Sequence, residues 1–230
     1  MGYLKDKIGV SEKKVALINN GVGIPRSVSQ EEVEQLKASL GVNDTDLIIG
    51  TVGRMNDDGI KRFSDLIKAF QQIVKKIPNA KLLLIGDGPE LVNYKQLSKE
   101  LEIEKSVLFA GYQSDTAVYY KVMDIFSLVS NNEAFGLVLA EAMLHSLPIV
   151  ATAVGGMKYI VVDGETGFLV KRHQVDEIAN KIIELCENKE LRDQFGENGL
   201  QRANELYTEK KYVEAVRILY KDLLIEKGIE

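Results

Sequence analysis

Glu133 and Glu141 stand with seven residues between them in Asn132-Glu133-Ala134-Phe135-Gly136-Leu137-Val138-Leu139-Ala140-Glu141-Ala142-Met143. A carboxylate accepts hydrogen bonds from hydroxyls. The residues between the two read as the start of a helix that follows a buried strand. Such a start presents free backbone N–H groups and the positive end of the helix dipole, which attract phosphate. With a helical rise, Glu141 lies about 12 Å beyond Glu133. That is roughly the reach from the sugar to the ribose of a nucleotide-diphosphate sugar, so two hydroxyl acceptors flanking an anion-binding helix end suit such a ligand. Taken alone, two acids at this spacing are more often the solvated face of a surface helix.

A second pair carries the opposite charge. Arg54 and Lys61 follow the apolar run 47–52, at the edge where a parallel sheet presents its loops. Two cations there can hold a diphosphate and stabilise its growing charge as a sugar leaves. The stretch also holds Asp57, Asp58 and Arg62, so a solvated loop is an equal reading of the pair by itself.

The elements that must position these groups are legible as an alternation. Apolar, β-branched runs at 15–19, 47–52, 81–85, 107–110, 125–129 and 148–152 read as strands. Amphipathic stretches near 30–40, 64–76, 90–101, 114–122, 136–146 and 176–186 read as helices between and after them. The runs are apolar throughout, as strands buried on both faces should be. The fold class is therefore α/β, a doubly wound parallel sheet of Rossmann-like type, whose ligands bind outside the carboxyl ends of the strands. Ser29 followed by Glu32 reads as a capping box. From about 209 to 226 an apolar stripe of Tyr212, Val213, Val216, Leu219, Leu223 and Leu224 recurs at helical spacing with no strand after it. The expected division is a sugar-nucleotide-binding domain over 1–208 and a C-terminal helix over 209–230.

Composition removes other classes. The chain has 230 residues, a net charge of -5, 45% apolar and 27% charged residues, so no basic footprint points to nucleic acid. His145 and His173 are the only histidines, which argues against a histidine metal centre. Cys186 is the single cysteine, so no internal disulfide framework exists. With neither a signal peptide nor a run long enough to span a bilayer, a cytoplasmic location is expected, with peripheral membrane contact left open. Gly86-Asp87-Gly88 lacks the third glycine of a dinucleotide fingerprint, so no hydride-transfer cofactor is expected. Asp44-Thr45-Asp46 mimics a metal-binding acid pair but reads as a solvated turn ahead of a strand. His145 reads as a packed or capping residue.

The loops after the strands hold a fixed series. It runs Asn19-Asn20-Gly21-Val22, Gly53-Arg54 with Lys61, Gly86-Asp87-Gly88-Pro89, Phe109-Ala110-Gly111, Glu133-Ala134-Phe135-Gly136 through Glu141, Gly155-Gly156, and Asp163-Gly164-Glu165-Thr166-Gly167-Phe168-Leu169-Val170. This ordered set resembles the C-terminal, donor-binding half of retaining glycosyltransferases with the GT-B architecture, family 4 in the usual classification. The likeness covers nearly the whole chain.

The resemblance implies roles. Arg54 and Lys61 would stabilise the departing diphosphate, and Glu133 would contact sugar hydroxyls. Glu141 would hold the ribose, while the N–H groups around Phe135, Gly136, Leu137 and Val138 would meet the phosphates. Tyr112 and Gln113 fall where relatives hold the base through the main chain. The side chain of Phe135 is equally well read as core, and Gly155-Gly156 as a simple turn. The implied reaction needs no metal and no cofactor beyond a UDP- or GDP-type sugar donor. The N-terminal acceptor domain of relatives is missing from this chain, which is either an excised piece or a separate half. The C-terminal helix would return to that domain, and its exposed stripe also permits self-association. This half alone is expected to bind donor and to transfer sugar weakly or not at all.

The chain departs from relatives at three points. The Arg54 to Lys61 spacing is longer than usual, Arg62 follows Lys61 where many members carry glycine, and Tyr159 stands where members often place glutamate. Two other readings remain open at this level: a non-catalytic interaction module of the same fold, and a sugar-nucleotide epimerase or glycosyl phosphorylase.

Overall fold

Five of the six apolar runs settle side by side, and helices pack on both faces of the sheet they form. The computed structural model describes residues 9, 11 and 14–228. Among these residues a six-stranded sheet forms from β1 (Leu47–Val52), β2 (Ala80–Ile85), β3 (Val107–Gly111), β4 (Ile125–Leu128), β5 (Ile149–Thr152) and β6 (Gly167–Val170). Every pairing is parallel, and the spatial order is β3-β2-β1-β4-β5-β6. Chain order therefore reverses direction between β1 and β4. In an open α/β sheet the crevice above such a reversal is where ligands bind.

The helices, in chain order, are α1 (Gln30–Leu40), α2 (Phe63–Lys76), α3 (Leu91–Glu100), α4 (Ala117–Val122) and α5 (Leu137–Leu144). They continue with α6 (Met157–Ile160), α7 (Val175–Glu187), α8 (Lys189–Leu206) and α9 (Glu209–Glu226). Successive strand residues point to opposite faces. Ile49, Leu82, Leu84 and Val150 therefore enter one core with α2 and α7, while Ile48, Leu83, Ile85 and Ile149 enter the other with α5 and α6. Asp124 aligns the two central strands: its N–H donates to Ile48 O and its carboxylate accepts from Ile48 N, both at 2.8 Å. Burial raises the pKa of that carboxyl.

The expected capping box at the start of α1 is present, with Ser29 and Glu32 bonding each other's backbone N–H. Residues 44–46 form the expected turn, at the amino end of β1 and so on the opposite side from the strand ends that carry the loops.

One expected strand does not form. Residues 15–19 form no strand and pair with none of the described strands, and Leu17 is 73% exposed. The run lies off the sheet, and the following segment is instead pinned to the start of α9. Val22 N donates to Tyr207 O at 2.7 Å and Glu209 N donates to Val22 O at 2.9 Å. Strand β6 and helix α8 were not anticipated as elements from the sequence. No residue of α9 is buried, and Tyr212, Val213, Leu223 and Leu224 of its apolar stripe are exposed.

Candidate functional site

Lys61 and Glu133 meet at the reversal. Lys61 lies in the loop after β1 and Glu133 in the loop after β4, and Lys61 Nζ stands 2.5 Å from Glu133 Oε2. Both side chains are mostly covered, at 24% and 18% exposed, so the pair is sheltered from full solvent screening. Asn131 holds the two loops together. Its N–H donates to Ile60 O at 2.7 Å, and its side-chain amide donates to Gly59 O at 2.8 Å. Nothing in the residue pattern marks Asn131, because its role comes only from where the two loops run.

Arg62 accounts for the departure noted beside Lys61. Its backbone is left-handed, with φ 48°, a conformation that glycine adopts without penalty. Here an arginine occupies it and uses its side chain. Nε and Nη2 grip the Asp65 carboxylate at 2.9 and 2.7 Å, and Asp65 is buried. His173 Nδ1 lies 3.4 Å from the same carboxylate. The chain thus turns into α2 at the position where many relatives carry glycine.

Arg54 is exposed and, among the described residues, forms no ion pair. It lines a cavity of about 540 Å³ with Gly53, Gly86, Asp87, Tyr112 and Gln113, at the carboxyl ends of β1, β2 and β3. The glycines there serve backbone contact. A Cβ on Gly86 would lie 1.8 Å from Gly53 O, and one on Gly88 would lie 2.4 Å from Met55 O. The Gly86-Asp87-Gly88 turn packs directly on the Arg54 loop and locks it. Gln113 Nε2 donates to Ala110 O at 2.7 Å, while the Tyr112 side chain is exposed.

Gly136, at φ 95°, precedes α5 and ends the Glu133 loop. The N–H groups of Phe135, Gly136, Leu137 and Val138 donate to no acceptor among the described residues. Free N–H groups are what the first turn of a helix presents. The ring of Phe135 packs edge-on against Tyr207, with centroids 5.8 Å apart, so the core reading of its side chain holds. Gly155-Gly156 does more than turn the chain. Gly156 N donates to Glu133 O at 2.9 Å, and a Cβ on Gly155 would sit 1.9 Å from that oxygen. The pair is the platform under Glu133.

Glu141, on the next turns of α5, accepts from Tyr120 Oη at 2.8 Å. It lines a second cavity, of about 360 Å³, shared with Arg26, Asp115, Tyr120 and His145. Glu133 lies in the loop before α5 and Glu141 within that helix, and the two carboxylates take different partners, Lys61 and Tyr120. His145 both caps α5 and stacks on Tyr120, with centroids 4.8 Å apart.

Comparison with known proteins fits this geometry. The family model for Glycosyl transferases group 1 matches residues 32–202. The chain belongs to that family. This group 1 glycosyl transferase chain is 35% identical over 195 residues to N-acetyl-alpha-D-glucosaminyl L-malate synthase of Bacillus anthracis, covering 85% of this chain and 50% of that protein. It is 32% identical over 234 residues to the capsular polysaccharide biosynthesis glycosyltransferase CapM of Staphylococcus aureus, covering 97% of this chain and 60% of that protein. Among solved structures, Anabaena HepE in complex with UDP-glucose superposes with a TM-score of 0.81 at 26% identity. That match covers 93% of this chain and 59% of HepE. The chain thus spans about half the length of the first curated relatives it matches. The Rossmann-like architecture is that of GT-B glycosyltransferases. No helix among the described residues is long and apolar enough to cross a membrane.

Proposed function

We propose that this chain is the donor-binding half of a retaining, metal-independent glycosyltransferase that takes sugar from a UDP- or GDP-type nucleotide-diphosphate sugar. The observation that carries the reading is the Lys61–Glu133 pair at the strand-order reversal. It brings the cation expected at the diphosphate to the acid expected at the sugar, from loops distant in sequence.

Arg54 and Lys61 supply positive charge fixed in place before the reaction. Preorganised charge of this kind stabilises a leaving diphosphate without reorganisation at the moment of bond breaking. The free N–H groups from Phe135 to Val138 add the helix-terminus contribution. Glu133 keeps one carboxylate oxygen on Lys61 and offers the other to sugar hydroxyls. Glu141 takes the ribose, and the main chain at Tyr112 and Gln113 borders the base. No side chain here is asked to act as a general base. In this account the donor's own phosphate serves the acceptor, which a domain outside this chain would supply. Helix α9, beginning just past residue 208, would return to that domain through its exposed stripe. Alone, the chain binds donor and transfers sugar poorly.

The test is nucleotide binding by the Glu141→Ala, Lys61→Ala double variant. The reading requires affinity to fall by at least about 100-fold, one tenfold step for each lost charged contact. Binding at wild-type strength with both side chains removed would sink the assignment.

A further inference from the structure

Tyr120 and His145 close a ring with Glu141. Tyr120 Oη donates to Glu141 Oε2 at 2.8 Å. His145 Nδ1 lies 2.9 Å from Glu141 O, and since a carbonyl only accepts, Nδ1 carries the proton. The His145 ring then stacks on the Tyr120 ring, 4.8 Å between centroids and 23° between planes. Phe126, from β4, supports the other side of Tyr120 at 5.7 Å. The backbone and the side chain of Glu141 are therefore each held by a member of a pair of rings that hold one another.

The protonation states favour this arrangement. Burial, and then the Glu141 charge, push the Tyr120 hydroxyl well above its ordinary range, so it stays a donor. Burial lowers the His145 pKa, so the ring is favoured in its neutral form. Tyr120 is 1% exposed and has nothing to offer a ligand directly except through Glu141. Among the described residues, Glu141 Oε1 receives no hydrogen bond.

We propose that Tyr120 is a positioning residue for ribose recognition: it fixes one oxygen of Glu141, backed by His145, so that the other faces the ribose hydroxyls in a single orientation. The inference rests on the donor-site reading above. A flexible glutamate must be ordered when ligand binds, which weakens binding. A carboxylate already anchored at Oε2 avoids that loss, and it discriminates more sharply against a ligand that lacks the hydroxyls.

Calorimetry on the 230-residue chain tests this with UDP, GDP and ADP. The tightest of the three is then compared with its 2′,3′-dideoxy analogue. Wild type is expected to prefer the ribonucleotide by about tenfold or more. Tyr120→Phe keeps the ring and its stacking but removes the hydroxyl. It should weaken the ribonucleotide and leave the dideoxy analogue unchanged, reducing the preference to about two- to threefold. Glu141→Ala should abolish the preference, and adding Tyr120→Phe to it should change nothing further. Equal weakening of both ligands by Tyr120→Phe would mean that Tyr120 only packs, and would overturn the inference while the donor-site reading stands. An unchanged preference would do the same. If wild type binds none of the three nucleotides, the donor-site reading fails and the inference with it.

Discussion

Gly155 lies so close beneath Glu133 that a Cβ there would stand 1.9 Å from the Glu133 carbonyl oxygen, and its φ of 48° is left-handed as well. The position of the candidate sugar-binding acid is therefore set from outside its own loop, by the turn after β5. Gly155→Ala must push the Glu133 loop away or strain its own backbone. It is expected to destabilise the fold by about 1–3 kcal/mol and to weaken donor binding as well. Gly164 is the control. It has φ 75° but open space around it, so Gly164→Ala should cost only about 1 kcal/mol of backbone strain and spare binding. Thermal melts with paired calorimetry separate the two.

Arg54 offers a cleaner separation of stability from function. It is exposed and has no ion-pair partner among the described residues. Arg54→Ala should change stability by less than about 0.5 kcal/mol. Nucleoside diphosphate affinity should still fall about tenfold, as for loss of one charge-assisted bond. Equal affinity in the variant would remove Arg54 from the site.

Arg62 sets two effects against each other. Arg62→Gly relieves a left-handed arginine, worth about 1–2 kcal/mol. It also strips the bidentate partner from buried Asp65 and leaves only His173, 3.4 Å away, and breaking a buried charge pair by removing one partner costs about 3–5 kcal/mol. The second effect wins, so Arg62→Gly should destabilise the fold although glycine suits the backbone. Arg62→Gly with Asp65→Asn should recover much of the loss. A chemical denaturation series on the three proteins checks the signs.

Acid should loosen the start of α1 only at low pH. Glu32 is held down at about 2 by Arg26, then by the Ser29 N–H. Its pKa is lower in the folded state than in the unfolded chain, where it is about 4.3. Its contribution is therefore complete above the unfolded value and is lost as pH falls from there through about 2. Side-chain carboxyl chemical shifts followed between neutral pH and acid should show Glu32 titrating well below the ordinary glutamate range.

Much of the fold was legible in the sequence because strands buried on both faces are apolar at every position. The runs from 47 to 152 became strands within a residue or two of their expected bounds. The run at 15–19 has the same look, yet it finds no sheet neighbour, and side-chain type alone does not reveal that. Helix α8 was hidden by Gly196 and Gly199, which sequence reasoning counts against a helix. In the structure they bring α8 against α5: a Cβ on Gly196 would lie 2.1 Å from Ser146 O, and Gly199 faces Met143. Strand β6 is a four-residue run beginning at Gly167, too short to stand out. Of the candidate site, the acids and cations stand out in the sequence by their order along the strand-end loops. Asn131, Tyr120 and the Gly155 platform could not, because each acts through a contact between segments far apart in the chain.

The proposed function places a metal-independent nucleotide-diphosphate-sugar site at the reversal between β1 and β4. Its most direct test is calorimetric titration of the chain with UDP, GDP and ADP, in chelator and again with magnesium. One nucleotide is expected to bind clearly in chelator, with no affinity added by magnesium. Binding that appears only with magnesium, or no binding of any of the three, would contradict it.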